Sequence, residues 1–242
     1  MNTIISKDSV TRLLSDVRNI IKNPLTDNGI YYIHDEEDML KGYAMIIGTS
    51  ETPYFGGFYF FEFNFPTNYP HSPPILKYIT NGNGIRFNPN LYICGKVCIS
   101  ILNTWSGEQW TSCQTISTIL LTLCTVLCKN PLLNEPGVMI GHRDLENYNK
   151  IIEYANIDIA ICDVILKNKA FGNKIYQPFY NYALESFLKN YDSLYSFCIK
   201  QCEKQCVQRI TTGFYGMNVI INYEILINKL EQCKNIVSIS KL

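Results

Sequence analysis

The stretch FNPNLYICGKVCISILNTW, residues 87–105, decides how this chain is read. It places Asn90, the last residue of an Asn88-Pro89-Asn90 turn, eight residues ahead of Cys98, with Gly95-Lys96-Val97 leading into the cysteine. A side-chain amide on a proline-stiffened turn and a thiol on an irregular loop are ingredients of acyl transfer. The sulfur can carry an acyl group, and the amide can hydrogen-bond the developing oxyanion. Physics alone does not make this spacing unique.

Outward from that segment, the chain alternates between recognisable periods. Residues 8–22 (DSVTRLLSDVRNIIK) read as an amphipathic helix with Asp8 or Ser9 as cap, an apolar face of Val10, Leu13, Leu14, Val17, Ile20 and Ile21, and Pro24 as its stop. Four strand-like runs follow, GIYYIHD, GYAMIIGT, GFYFFEFNF and PILKYIT, joined by connections short enough to require an antiparallel meander. In the third run Tyr59, Phe61, Phe63 and Phe65 share one face, a seat for a helix. Residues 80–113 have no clear period, and a loop of that length inside a compact domain is usually functional. TISTILLTLCTVLC (115–128) is a buried helix, KNPLLNEPG breaks it, and from about 143 to the end the pattern is helical, with glycines between 213 and 216 separating the last two helices. The order predicts an α+β fold: N-terminal helix, four-stranded antiparallel meander and C-terminal helices, the helices lying against one sheet face, plus a helical extension.

The bulk composition is that of a soluble globular chain. With 21 acidic and 21 basic residues in 242, it offers no electrostatic argument for nucleic acid or an anionic membrane. No run approaches the ~18 apolar residues of a membrane span, and the polar N-terminus does not read as a signal peptide, so cytosol or nucleus is the expected location. The ten cysteines fall largely inside apolar helical patterns, where reduced thiols act as small hydrophobes. Cys198, Cys202 and Cys206 line one helical stripe, but no Cys-x-x-Cys or nearby histidine completes a zinc ligand set.

Residues 51–74 (ETPYFGGFYFFEFNFPTNYPHSPP), the Asn-Pro-Asn turn, Cys98 and the downstream Trp110 together resemble the ubiquitin-conjugating enzymes over roughly residues 7–140. That family carries His-Pro-Asn, seven residues, then the thioester-forming cysteine. With FNPN, GKVCISILNTWSGEQW and KNPLLNEPG, the chain is most similar to the Z branch, which carries a C-terminal helical extension. The resemblance implies a catalytic core over residues 1–142 and an extension over 143–242, and the apolar periodicity of the extension predicts that it packs on the core and buries Ile151, Ile152, Ile159, Phe187, Leu188 and Leu194. The resemblance further implies the activity: ubiquitin or a ubiquitin-like modifier, received from an activating enzyme as a thioester on Cys98, passes to a substrate lysine or to a ligase. No resident cofactor is needed, because ATP is used upstream by the activating enzyme.

The resemblance also assigns roles. Cys98 is the nucleophile. Asn90 either stabilises the oxyanion or braces the active-site loop. Tyr92 and Glu135 fall where the family lines the path of the incoming lysine, Glu135 orienting it or accepting its proton, unless it is merely a solvated residue beside Pro136. Asn88 stands where the family has a loop-supporting histidine. Arg12, Arg18 and Lys22 lie on the helix side that docks the activating enzyme, although a solvated face explains them equally well. His71 with Ser72, and Ser112 with Cys113, occupy the two ligase-facing loops, where the family often has a bulky apolar residue and Ser-Pro-Ala.

Two rival readings exist. A non-catalytic ubiquitin-binding variant of the fold would lack the cysteine. A cysteine hydrolase would need a histidine beside the thiol, and the chain has only His34, His71 and His142.

Overall fold

The computed structural model describes residues 5–166 and 174–239. Helix α1 (Lys7–Lys22) begins earlier than its sequence suggests, because Ser6, with extended backbone, accepts the Ser9 N–H at 3.1 Å. Ser9 is already inside the helix and buried. Leu13, Val17 and Ile20 face the core, whereas Leu14 and Ile21 are exposed, each one step round the helix from a buried neighbour. The apolar stripe is therefore narrower than the sequence pattern.

Strands β1 (Ile30–His34), β2 (Lys41–Ile47), β3 (Phe58–Asn64) and β4 (Ile75–Tyr78) pair in chain order, all antiparallel. The register sets Ile30 opposite Ile46, Met45 opposite Phe60 and Phe61 opposite Tyr78. Tyr59, Phe61 and Phe63 project to one face, among Tyr54, Phe87, Tyr78 and Tyr32. After the strands, α2 (Ile116–Val126) starts with a reciprocal Thr115–Thr118 capping box and buries Ile116, Ile119, Leu120 and Leu123 at helical spacing.

The second sheet face departs from expectation. Tyr31, Tyr43, Met45 and Phe60 occupy it, and it is covered as well. Tyr176 lies 5.7 Å from Tyr43 and 5.3 Å from Phe60, Phe179 lies 6.1 Å from Phe60, and Tyr182 lies 4.4 Å from Tyr31, centroid to centroid. Burial on both faces explains why β2 and β3 are apolar almost without alternation.

After α2, α3 (Leu145–Ala155) runs into wider π-helical turns (Asn156–Asp163) and a short α4 (Val164–Leu166). Every residue of the π-helical segment is buried. Its first residue ties it to the sheet: Tyr59 donates its hydroxyl to Asn156 Oδ1 at 2.5 Å, and Asn156 Nδ2 donates to the Phe55 carbonyl at 2.9 Å. Gly57 makes this approach possible, since a Cβ there would stand 1.9 Å from Asn156 Oδ1. The long α5 (Tyr180–Gln205) packs on α6 (Tyr223–Ile239), whose Lys229 bridges Asp158 and Asp163 of the π-helical segment. Ile151, Ile152, Ile159, Phe187 and Leu194 are buried, and Leu188 is half-buried. Burial also pushes the Cys124 thiol up to about 11 and the Cys198 thiol up to about 12, the behaviour of small apolar fillers.

Between α5 and α6 the helical expectation is corrected. Residues 207–222 form an antiparallel hairpin, β5 (Val207–Thr211) and β6 (Asn218–Asn222), with Ile210 opposite Val219. The β-branched runs on either side of Gly213-Phe214-Tyr215-Gly216 are a strand-turn-strand signal, and Ile210 and Ile221 are its core-facing positions.

Asn156→Ala is expected to lower stability by roughly 2 to 3 kcal/mol, because it strands the buried Tyr59 hydroxyl and the Phe55 carbonyl together. A chemical-denaturation midpoint equal to wild type would contradict this.

Candidate active site

The residues around Cys98 form a compact irregular hairpin. Tyr92 N–H donates to the Lys96 carbonyl and Gly95 N–H to the Tyr92 carbonyl, both at 2.9 Å, which closes the turn. Gly95 has φ 92°, and a Cβ there would lie 2.9 Å from the Tyr78 carbonyl oxygen, so glycine lets the turn dock on β4. Lower in the hairpin, Asn90 and Cys98 are joined twice. Cys98 N–H donates to the Asn90 carbonyl at 2.8 Å, and Asn90 Nδ2 donates to the Cys98 carbonyl at 2.7 Å. In this structure the amide that sequence offers to an oxyanion is therefore engaged with the backbone of the cysteine itself.

Asn88 is wholly buried, and its amide is used at both ends. Nδ2 donates to the Tyr54 hydroxyl at 2.8 Å and to the Val126 carbonyl at 2.9 Å, while Oδ1 accepts the Asn90 N–H at 2.9 Å. Tyr54 in turn donates to the Phe87 carbonyl at 2.7 Å. The turn thus hangs from the TPYFGG segment on one side and the end of α2 on the other.

The same turn sits on a buried cation, Arg86. Its guanidinium donates to the carbonyls of Asn88 at 3.0 Å and Pro89 at 2.7 Å, and stacks 3.4 Å from the centroid of Tyr92. Tyr215, from the tip of the β5–β6 hairpin, presents its ring 5.0 Å from the same guanidinium, and Tyr148 of α3 donates its hydroxyl to the Arg86 carbonyl at 2.6 Å. Carbonyl oxygens and aromatic faces compensate this desolvated charge. Glu135 joins the group through Tyr215, whose hydroxyl donates to Glu135 Oε2. Burial and the adjacent carboxylate push the Tyr215 phenol far above its usual range, keeping it a donor.

Cys98 is only 2% exposed. Sequence placed it on an irregular loop, which by itself leaves its burial undecided. The paired backbone on its N-terminal side and the buried Ile99, Ile101 and Leu102 beyond it draw the segment inward. Exposed thiols stand nearby in sequence at Cys94 and Cys113. Among the described residues no histidine hydrogen-bonds Cys98. His34 Nδ1 meets the Tyr32 hydroxyl at 2.9 Å, and His142 Nδ1 accepts the Asp144 N–H at 3.2 Å. Among the described residues no group of three or more His, Cys, Asp or Glu side chains could hold a metal ion.

The structure brings Cys98 and Asn90 together directly, and Tyr92 and Glu135 together through Arg86 and Tyr215. The four residues read as partner contacts divide. Arg18 and His71 are exposed. Arg12 is engaged in holding the fold: it pairs with Asp16 at 3.1 Å and donates to the carbonyls of Ser112 and of Gln114, the latter at 2.7 Å. Ser112 Oγ donates to the Pro70 carbonyl at 3.3 Å, and Trp110 Nε1 donates to the same carbonyl at 2.7 Å, so the loops carrying His71 and Ser112 are clasped together. Arg86 and Tyr215 went unread in the sequence. The only signals were a charge lying two residues ahead of Asn88 and two aromatics between glycines.

The family model described as "Ubiquitin-conjugating enzyme" matches residues 12–155. The chain is 37% identical to ubiquitin-conjugating enzyme E2 Z of Danio rerio over 209 residues, covering 84% of this chain and 61% of that protein. It is 40% identical to E2 Z of Homo sapiens over 184 residues, covering 75% and 50% respectively. The chain thus spans about half to three-fifths of the length of these relatives, and the longer alignment continues past the family model into the C-terminal region. Human ubiquitin-conjugating enzyme E2 G1 superposes with a TM-score of 0.44 at 30% identity, over 52% of this chain and 98% of that one.

With its amide bonded to the cysteine backbone, Asn90 is expected to act mainly as a brace. Asn90→Ala should lower the melting midpoint, by about 1 to 3 kcal/mol of stability, and slow thioester formation and discharge together. Unaltered stability with a loss confined to discharge onto lysine would instead assign it to the oxyanion.

Proposed function

Because the chain belongs to the ubiquitin-conjugating enzyme family, we propose that it accepts ubiquitin or a ubiquitin-like modifier as a thioester on Cys98 and passes it to an amine or a ligase. The observation that carries this reading is the double hydrogen-bonded pairing of Asn90 with Cys98 at the foot of the Asn-Pro-Asn turn.

In the first step the Cys98 thiolate attacks the carbonyl carbon of the thioester on the activating enzyme. The new carbon–sulfur bond forms as the old one breaks, and the activating enzyme's thiolate leaves. One thioester replaces another, so the step is nearly balanced and needs no dedicated base, only a thiolate fraction and access. At 2% exposure the sulfur must be uncovered before a protein thioester reaches it. In the second step a lysine amine displaces the Cys98 thiolate and an isopeptide bond forms. Tyr92 and Glu135 flank the amine's path, the ring excluding water and the carboxylate orienting the amine or taking its proton. No resident cofactor takes part, and ATP is spent by the activating enzyme. Residues 1–142 carry the thioester chemistry, and 143–242 are a C-terminal extension whose described residues pack on them. We place the protein in the cytosol or nucleus, without a role at nucleic acid or membrane.

Partner choice follows from the two clasped loops. His71 and Ser112 offer polar groups where an apolar contact worth roughly 1 to 3 kcal/mol anchors a ligase, so the partner is a specialised ligase or the substrate itself. Arg12 is engaged within the fold, whereas Arg18 and Lys22 are exposed on α1 and open to the activating enzyme, as is Lys7 at the helix start.

Incubation with activating enzyme, ATP and modifier should give a thiol-sensitive adduct on a non-reducing gel. Cys98→Ala should abolish it, and Cys98→Ser should yield a thiol-resistant oxyester. An adduct that survives Cys98→Ala, or moves to Cys94 or Cys113, excludes the assignment. In discharge assays with a panel of generic RING domains, His71→Phe with Ser112→Pro should gain stimulation that wild type lacks. Strong stimulation of wild type by several of them would refute the idea about the loops.

A further inference from the structure

The tip of the β5–β6 hairpin is fastened beside Glu135 more firmly than packing alone requires. Phe214 N–H donates to Asp144 Oδ2 at 2.8 Å, Asn147 Nδ2 donates to the Thr211 carbonyl at 3.1 Å, and the Phe214 ring lies 5.1 Å from that of His142. Within the turn, Thr212 donates its hydroxyl to the Phe214 carbonyl at 2.7 Å. These contacts hold Tyr215 at φ 60°, a left-handed conformation costly for any residue with a Cβ, although glycines stand at 213 and 216. A tyrosine kept where glycine would be cheaper points to its side chain. That side chain does two things on the page: its ring shares Arg86 with Tyr92, and its hydroxyl donates to Glu135.

We propose that Tyr215, carried by the C-terminal extension, is a positioning residue of the acceptor site that fixes the Glu135 carboxylate to receive a lysine amine. The proposal rests on the reading of Cys98 as the thioester-bearing thiol. With Oε2 accepting from Tyr215, the Glu135 carboxylate is confined to one orientation. Its Oε1 accepts no hydrogen bond among the described residues and is left for the lysine. In discharge the lysine nitrogen bonds to the acyl carbon, the carbon–sulfur bond breaks with its electron pair returning to Cys98 as thiolate, and one proton leaves the nitrogen for Glu135. Loading by transthiolation takes no proton from an amine, so Tyr215 has no part in it. The extension thereby contributes to chemistry on the acceptor side alone.

The test compares full-length wild type, Tyr215→Phe, Glu135→Ala and the double variant, each preloaded with ubiquitin and chased with free lysine or with a small thiol. Tyr215→Phe keeps the ring against Arg86 and should retain wild-type melting and charging. Its discharge to lysine should fall roughly tenfold, a magnitude typical of a lost positioning contact, while discharge to the small thiol is unchanged. In the Glu135→Ala background Tyr215→Phe should add nothing, because it acts through that carboxylate. Wild-type lysine discharge by Tyr215→Phe overturns the proposal. So do equal slowing toward lysine and thiol, effects that multiply in the double variant, or a charging defect with unaltered melting. Failure of the wild-type chain to form any thioester would instead refute the underlying reading of Cys98.

Discussion

The Arg86 guanidinium is the point on which the rest of the site depends. A cation at 9% exposure is tolerated only if its desolvation is repaid by oriented acceptors. Here those acceptors come from separate parts of the chain: carbonyls of Asn88 and Pro89 in the turn, the face of Tyr92 in the same hairpin, and the face of Tyr215 from the C-terminal hairpin. Tyr148 of α3 holds the same residue by its carbonyl. Satisfying one charge therefore draws together segments more than a hundred residues apart. The turn that faces Cys98 is rigid because it is a ligand of this cation as well as a link in a hydrogen-bond chain through Asn88, Tyr54 and Phe87.

Asn88 illustrates how one polar residue replaces another at a buried corner. An amide offers a donor and an acceptor on the same planar group, so it bonds Tyr54 and Val126 on one side and the Asn90 N–H on the other. The position demands simultaneous donation and acceptance rather than proton transfer. Asparagine meets that demand without titrating.

The C-terminal region is bound into this arrangement on two fronts. Tyr176, Phe179 and Tyr182 cover the sheet face that carries Tyr43, Phe60 and Tyr31, while the β5–β6 hairpin reaches round to Glu135. Asn156 and Lys229 are two of the region's polar fastenings, one bonded to β3, the other joining α6 to the π-helical segment. Both are satisfied through geometry that apolar contacts alone would leave free to slide.

What the sequence by itself determined is the order and type of the main elements, and the positions of Cys98 and Asn90. Periods of two and of about 3.6 residues are local properties, so the meander, α1 and α2 were legible. The Cys98 motif was legible through its resemblance to the ubiquitin-conjugating pattern, since the spacing alone is not unique. Tertiary structure alone decided that the sheet is covered on both faces and that Arg12 is engaged within the fold. It also decided that Cys98 is buried and that Tyr215 meets Glu135. Apolar residues on both faces of a strand leave no alternation to say what covers the second one. A basic residue on a helix looks the same in sequence whether it faces a partner or a distant carbonyl. The β5–β6 hairpin was written in its β-branched runs, but its docking was not. That docking depends on a buried charge whose partners lie far apart along the chain, and only folding brings them within reach.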